Sequence, residues 1–240
     1  MFNFHGWTMS ATEQIELSDM RALAESKQFI LVCPQGTLFQ GLTHWNVGSW
    51  TTGSTSDDLN FIDTLIHHIS ERYTIDMKRI YAAGYSNGGY FSQELACKLS
   101  HRIAAIGTVV ANMSTRTRDD CDPSHPMSLI TISGTHDREV SYDGTIPEGQ
   151  LSHDAVLNYW INYNQTDTSP TISDLPNINT TDGSTVQLYQ YKNGKNNVKI
   201  EHYKLIYGGH DWPGTYGNMD INANDIIWNF MSQFNVDGKI

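Results

Sequence analysis

A serine and a histidine in glycine-rich turns, with an aspartate on a turn between them in chain order, carry the clearest chemistry in this 240-residue chain. Gly84-Tyr85-Ser86-Asn87-Gly88-Gly89 fits the pattern glycine-x-serine-x-glycine, between a β-rich run at Ile80–Ala83 and a helical pattern that begins near Gly88. That context predicts a nucleophile elbow, a sharp strand-to-helix turn that needs small neighbours and sets its serine at the positive end of a helix. A serine hydroxyl is a poor nucleophile until a base takes its proton, so an acid and a histidine are expected further along in the order serine, acid, histidine. Gly134-Thr135-His136-Asp137 follows the apolar run Leu129–Ser133, and Gly208-Gly209-His210-Asp211-Trp212-Pro213 follows Lys199–Tyr207. Ser86 is therefore read as nucleophile, His210 as general base and Asp137 as the acid that orients it.

Other residues compete for these roles. Asp119, Asp120, Asp122 and Asp143 read as a solvated acidic surface, whereas Asp137 directly follows a core strand. His136 abuts the acid and His153 opens a helix, which leaves His210. Acyl transfer also needs N–H donors for the oxyanion. Asn87, after the nucleophile, supplies one, and Trp7, after the turn His5-Gly6, supplies the other.

The elements that must position these groups follow from periodicity. Strands are predicted at Phe2–Phe4, Phe29–Cys33, Ile80–Ala83, Ala104–Val110, Leu129–Ser133, Val186–Tyr191 and Lys199–Tyr207. Helices are predicted at Ala11–Glu25, Asp57–Arg72, Gly88–Leu99, Ser152–Asn162 and Ala223–Phe234. In the second helix Leu59, Ile62, Ile66 and Ile69 recur at helical spacing and face the sheet. Alternation of strands and helices predicts an α/β fold with a mostly parallel, doubly wound sheet in one domain, 1–240. Gln35–Ser56 reads as a long loop over the sheet's C-terminal edge, and Asn164–Ser184 as a polar surface excursion.

With 15 basic against 26 acidic residues the formal net charge is -11, which disfavours nucleic acid and anionic membranes as partners. No apolar run approaches the ~20 residues needed to span a bilayer, and the N-terminus lacks a signal-peptide pattern. The chain starts inside a strand, Met1-Phe2-Asn3-Phe4, so segments upstream are expected. Three cysteines, Cys33, Cys97 and Cys121, show no paired spacing; one disulfide and one free thiol fit that count. Ten histidines include no H-E-x-x-H, so no metal site is expected.

These motifs together resemble the bacterial esterase family that includes feruloyl esterases and polyhydroxybutyrate-depolymerase-like proteins, within the α/β hydrolases. The resemblance rests on His5-Gly6, Trp45-Asn46, Asp57-Asp58-Leu59-Asn60-Phe61, Arg79 to Gly89, Leu95-Ala96-Cys97, Gly134 to Asp137 and Gly208 to Gly214. It implies a cofactor-free serine carboxylesterase acting on short-chain acyl, feruloyl or acetyl esters, with Ser86, Asp137 and His210 as triad and Trp7 and Asn87 as oxyanion donors. A polyhydroxyalkanoate depolymerase, a serine peptidase of the same fold and an inactive binding module are the alternatives. Trp45, Tyr85 and Trp212, with Trp50 and Tyr142, are candidates for an aromatic substrate wall. The resemblance also points to a disulfide between Cys97 and Cys121, in keeping with their places at the end of the elbow helix and in the acidic loop beyond the next strand. It implies secretion or a periplasmic location, while the lack of a signal peptide leaves the cytoplasm open.

The same resemblance places two strands before His5-Gly6 that this chain lacks. Phe29–Cys33 would then be an uncovered apolar edge, which invites self-association as a two-fold dimer. Light scattering coupled to size exclusion tests this: a mass near twice 27.0 kDa is expected, and a monomer would sink the idea.

Overall fold

Alternating apolar runs and amphipathic segments fold as the periodicity requires. A computed structural model describes residues 1–240. In chain order the elements are β1 (Phe2–Phe4), α1 (Ala11–Leu17), α2 (Arg21–Lys27), β2 (Thr37–Phe39), β3 (Leu42–His44), α3 (Asp58–Ser70), β4 (Ile80–Tyr85), α4 (Asn87–Lys98), β5 (Ile103–Val109) and α5 (Thr115–Asp119). There follow β6 (Ser128–Gly134), α6 (His153–Asn164), β7 (Thr171–Asp174), β8 (Thr185–Tyr191), β9 (Ile200–Ile206), α7 (Ala223–Met231), β10 (Phe234–Asn235) and β11 (Gly238–Lys239). A seven-stranded sheet runs β1-β4-β5-β6-β9-β8-β7. Its first five strands are parallel, and β8 and β7 close it as an antiparallel hairpin.

Each sheet face is buried by its own apolar set. Ile62 and Ile66 of α3, Phe91 and Leu95 of α4 and Trp160 of α6 pack on one face with Phe4 and Trp45. Ile227, Trp228 and Phe230 of α7 cover the other with Tyr81, Val109 and Ile132. A disulfide joins Cys97, at the end of α4, to Cys121, just past α5, across 24 residues of sequence. Such a closure contributes roughly 3 kcal/mol in the chain-entropy model. Cys33 is the free cysteine, and partial burial pushes its thiol up to about 11.

Four sequence expectations are corrected. Phe29–Cys33 is not a strand: only Val32 bridges to Phe2, through Asn3 N–H to the Val32 carbonyl and Val32 N–H to the Met1 carbonyl, each 2.9 Å. Phe29 instead turns inward to stack on Trp228 at 3.9 Å, and Pro34, which has no N–H to donate, follows at once. The continuous apolar edge on which dimerisation was expected is therefore absent. The helix Ala11–Glu25 is broken into α1 and α2: at the break the Ser18 hydroxyl bonds back to the Gln14 carbonyl (2.7 Å) and the Asp19 side chain accepts the Arg21 N–H (3.1 Å), local bonds that compete with a continuous helix. The loop Gln35–Ser56 contains the hairpin β2–β3, and the polar excursion contains β7, whose four residues are all exposed. With no buried face, β7 leaves no hydrophobic alternation to read.

Two histidines are buried within the fold. His153 and His202 lie with ring centroids 4.4 Å apart, each almost wholly buried. His153 Nδ1 donates to Asn112 Oδ1 (2.9 Å), with the Ser133 and Thr131 hydroxyls at 3.2 and 3.3 Å. His202 Nε2 meets the Tyr142 hydroxyl at 2.9 Å while its Nδ1 finds no partner. Burial, reinforced by Lys204, pushes His153 down to about 3. Burial and its histidine neighbour push His202 well below the ordinary value. Both rings are neutral in the fold, whereas in the unfolded chain each takes a proton near pH 6.5. The unfolded state thus binds more protons below that pH, and folding stability should fall by about 2 kcal/mol per histidine between pH 7 and pH 5. Urea unfolding at the two pH values checks this, with His153→Gln expected to remove about half of the loss; equal stability at both would show that the pair does not titrate as argued.

Candidate active site

β4 ends at Tyr85 and α4 begins at Asn87, so the chain reverses at Ser86, which adopts φ 51°, ψ -120°. This left-handed backbone is strained for a residue with a side chain and survives only where its surroundings hold it. Close packing holds it here. A Cβ on Gly84 would lie 2.3 Å from the Gly88 carbonyl carbon, and one on Gly88 2.3 Å from the Phe4 carbonyl oxygen. The Ser86 N–H is tied to the Val109 carbonyl at 2.9 Å. The turn therefore presents the half-buried Ser86 at the positive end of α4.

The candidate acid and base come from the loops after β6 and β9, which pair in parallel. Asp137 Oδ2 accepts from His210 Nδ1 at 2.7 Å. Asp137 Oδ1 accepts the N–H groups of Glu139 and Val140, both at 2.8 Å. The Asp137 side chain is 1% exposed and that of His210 20%, so the carboxylate is sealed and the imidazole reaches solvent. These bonds fix the proton of the neutral ring on Nδ1 and leave Nε2 free to accept. The two loops interlock: His136 N–H donates to the Gly208 carbonyl at 2.9 Å, and a Cβ on Gly134 would meet that carbonyl oxygen at 2.3 Å.

A cleft of about 390 Å³ brings these parts together; its walls include Ser86, His210, Trp7, Trp50, Tyr85 and Glu139. A separate apolar groove of about 250 Å³, between Phe29, Ile66 and Trp228, holds no nucleophile paired with a base. Asn87 is the first residue of α4, so its N–H has no acceptor within the helix. The Trp7 N–H finds no acceptor in the protein. Their side chains do other work. The Asn87 amide accepts from Trp45 N–H (2.7 Å) and donates to the Trp45 carbonyl (3.1 Å), while the Trp7 ring sits edge-on to His44 and Phe39.

Of the candidates for an aromatic wall, Tyr85 and Trp50 line the cleft. Trp45 and Trp212 do not, and both are fully buried. Trp45 stacks on Phe91 at 4.9 Å and donates to the His5 carbonyl at 3.1 Å, and Trp212 donates to Asn224 at 3.0 Å. Position in sequence next to a reactive loop gave no information about which way these rings turn. Tyr142 belongs to the buried histidine pair. Asp143 is exposed and accepts from Thr145 within its own turn.

Several contacts around the site were not legible in the sequence. The hydroxyls of Tyr85 (2.8 Å) and Tyr216 both donate to the His210 main-chain carbonyl. Burial, with the Tyr216 hydroxyl, raises the Tyr85 phenol far above its ordinary value, so it is a neutral donor. Asp211 accepts the N–H groups of Gly209 (3.1 Å) and Asn218 (3.3 Å); burial raises it, partly offset by those two bonds. The buried His5 ring accepts the Gly36 N–H on Nε2 (3.0 Å) and donates from Nδ1 to the Gly6 carbonyl (2.8 Å), orienting the turn that carries Trp7. No cluster of three or more histidine, cysteine or acidic side chains is arranged to hold a metal ion, and no helix is long and apolar enough to cross a membrane.

No family model matches the chain. It is 26% identical over 244 residues to a bifunctional acetylxylan esterase/xylanase of Neocallimastix patriciarum, covering 100% of this chain and 32% of that protein. It is 28% identical over 244 residues to feruloyl esterase B of Piromyces equi, covering 98% and 42%. The chain thus spans 32% and 42% of the length of these two curated relatives. Among solved structures it superposes on an acetyl xylan esterase from Aspergillus awamori with a TM-score of 0.66 at 14% identity, covering 96% of this chain and 87% of the other. Esterase PE8 follows with a TM-score of 0.57 at 12% identity, covering 96% and 90%. With its mostly parallel, helix-flanked sheet, the chain has the α/β-hydrolase fold.

Proposed function

We propose that the chain is a serine carboxylesterase that releases acyl groups, feruloyl or acetyl esters of plant polysaccharide being the natural candidates. The observation that carries this reading is the buried Asp137–His210 pair, 2.7 Å apart, opening on the same cleft as the strained Ser86 turn. The two curated relatives are named for such esters. In this mechanism Ser86 Oγ attacks the ester carbonyl carbon while His210 Nε2 takes the hydroxyl proton. The Asp137 carboxylate holds the imidazolium that forms, and the N–H groups of Trp7 and Asn87 receive the oxyanion. Collapse expels the alcohol with the proton from His210, and water then cleaves the acyl-enzyme by the same steps. No cofactor enters. Export is part of the proposal, since the Cys97–Cys121 disulfide suits an oxidising compartment.

A series of p-nitrophenyl esters of increasing acyl length, run beside methyl ferulate and an aminoacyl p-nitroanilide, tests the reading. Turnover of the anilide alone would favour a peptidase. Failure of a fluorophosphonate to label Ser86 would favour an inactive binding module. Ser86→Ala should lower ester kcat by about 10⁴ or more with the fold intact. Asp137→Asn should cost on the order of 10⁴ through loss of the correct histidine tautomer, while Asp143→Asn should stay within a few-fold. A larger loss from the Asp143 change would overturn the choice of acid.

A further inference from the structure

Beside His210, Glu139 is the one ionisable acid or base among the residues that line the Ser86 cleft; Tyr85 is held neutral, and besides Ser86 the remainder of the wall is glycine, threonine, proline, valine and tryptophan. Its main-chain N–H is committed to Asp137 at 2.8 Å, which ties its place in the fold to the acid that orients the base. Its side chain, by contrast, is exposed and takes part in none of the protein's ion pairs. Arg138, its sequence neighbour, is outside the cleft lining. No cation on the wall neutralises Glu139, and the chain as a whole carries a formal charge of -11. The cleft wall therefore carries an unpaired acidic residue close to where an ester would bind.

We propose that Glu139 is a specificity-determining residue that excludes esters carrying a negative charge near the scissile bond and admits neutral or cationic ones. The inference rests on the esterase reading and adds the substrate's charge class to it. An exposed carboxylate on the cleft wall repels a second carboxylate brought within a Debye length of it, about 10 Å at 0.1 M salt, and rejection by such repulsion is a common source of selectivity. Neutral acetyl and feruloyl esters meet no such barrier. An ester flanked by a free carboxylate, on the acyl or the alcohol side, does.

Two matched pairs of esters test this. On the alcohol side, 4-acetoxybenzoate is compared with the neutral 4-acetoxybenzamide; on the acyl side, p-nitrophenyl 4-carboxybenzoate is compared with p-nitrophenyl 4-carbamoylbenzoate. The quantity read is the anionic-to-neutral ratio of kcat/KM, so that intrinsic reactivity cancels between variants. At low ionic strength Glu139→Gln should raise that ratio about three- to tenfold in at least one pair and Glu139→Lys should raise it further, with salt narrowing the difference. Ratios unchanged by both substitutions, or shifts that salt leaves intact, would overturn the proposal. Should none of the esters turn over, the esterase reading fails first. The charge selectivity is then read from quenching of the cleft tryptophans, Trp7 and Trp50, by 4-hydroxybenzoate and 4-hydroxybenzamide. Tighter binding of the anion by Glu139→Gln than by the wild type supports the inference, and equal binding overturns it.

Discussion

The candidate site depends on how tightly the turn after β4 presses against the end of β1. Gly88 sits so close to the Phe4 and His5 carbonyls that a Cβ would fall within 2.7 Å of both oxygens. That approach brings the first turn of α4 alongside the turn through Gly6, whose neighbour Trp7 lines the cleft with Ser86. The surrounding polar atoms are matched to it. Asn87 is bonded twice to the main chain of Trp45, the Trp45 ring is bonded to the His5 carbonyl, and His5 is bonded to both Gly6 and Gly36. Buried groups that are this fully paired cannot shift singly without leaving a donor or acceptor orphaned.

The same economy explains motifs with no chemistry of their own. Asn46 and Asp57-Asp58 stood out in the sequence without a role. In the fold the Asn46 N–H donates to Asp58 at 2.7 Å, and the Asn46 carbonyl and side chain both accept from Arg116 at 3.1 Å. The loop that supplies Trp50 to the cleft is thereby pinned to the start of α3 and to α5. Such pinning keeps a wall of the cleft rigid although it is built on a segment with little regular structure.

What the sequence disclosed was set by the strength of each local signal. β4, β5 and β6 lack an exposed face and read as largely apolar runs, and the turns after β4, β6 and β9 carry glycines that close packing demands. The fold class and the convergence of Ser86, Asp137 and His210 on one sheet edge could therefore be argued from residue types and order. Ring orientation could not. Trp45, Trp50 and Trp212 look alike in sequence, yet packing buries two and leaves the third half exposed on the cleft. Phe29–Cys33 has every property of a strand, but its pairing depended on whether Phe29 turned toward Trp228, a contact some 200 residues away in the chain. α4 hid its face for another reason: every residue from Asn87 to Cys97 is buried, so no polar side marks its period.

Ser86, Asp137 and His210 each sit at or just past the end of a different parallel strand, and the chain between them travels widely before returning. Between β6 and β9 it makes α6 and then the hairpin β7–β8, which attaches outside β9 at the far edge of the sheet. The strand ends that carry these three residues are set side by side by strand pairing, while the segments farther out in the intervening excursions are free to differ in length and composition. A chain built this way can exchange its outer segments, and with them the walls of the cleft, while Ser86, Asp137 and His210 keep their places. Divergence to about a quarter identity along the whole chain is what such a division of labour permits.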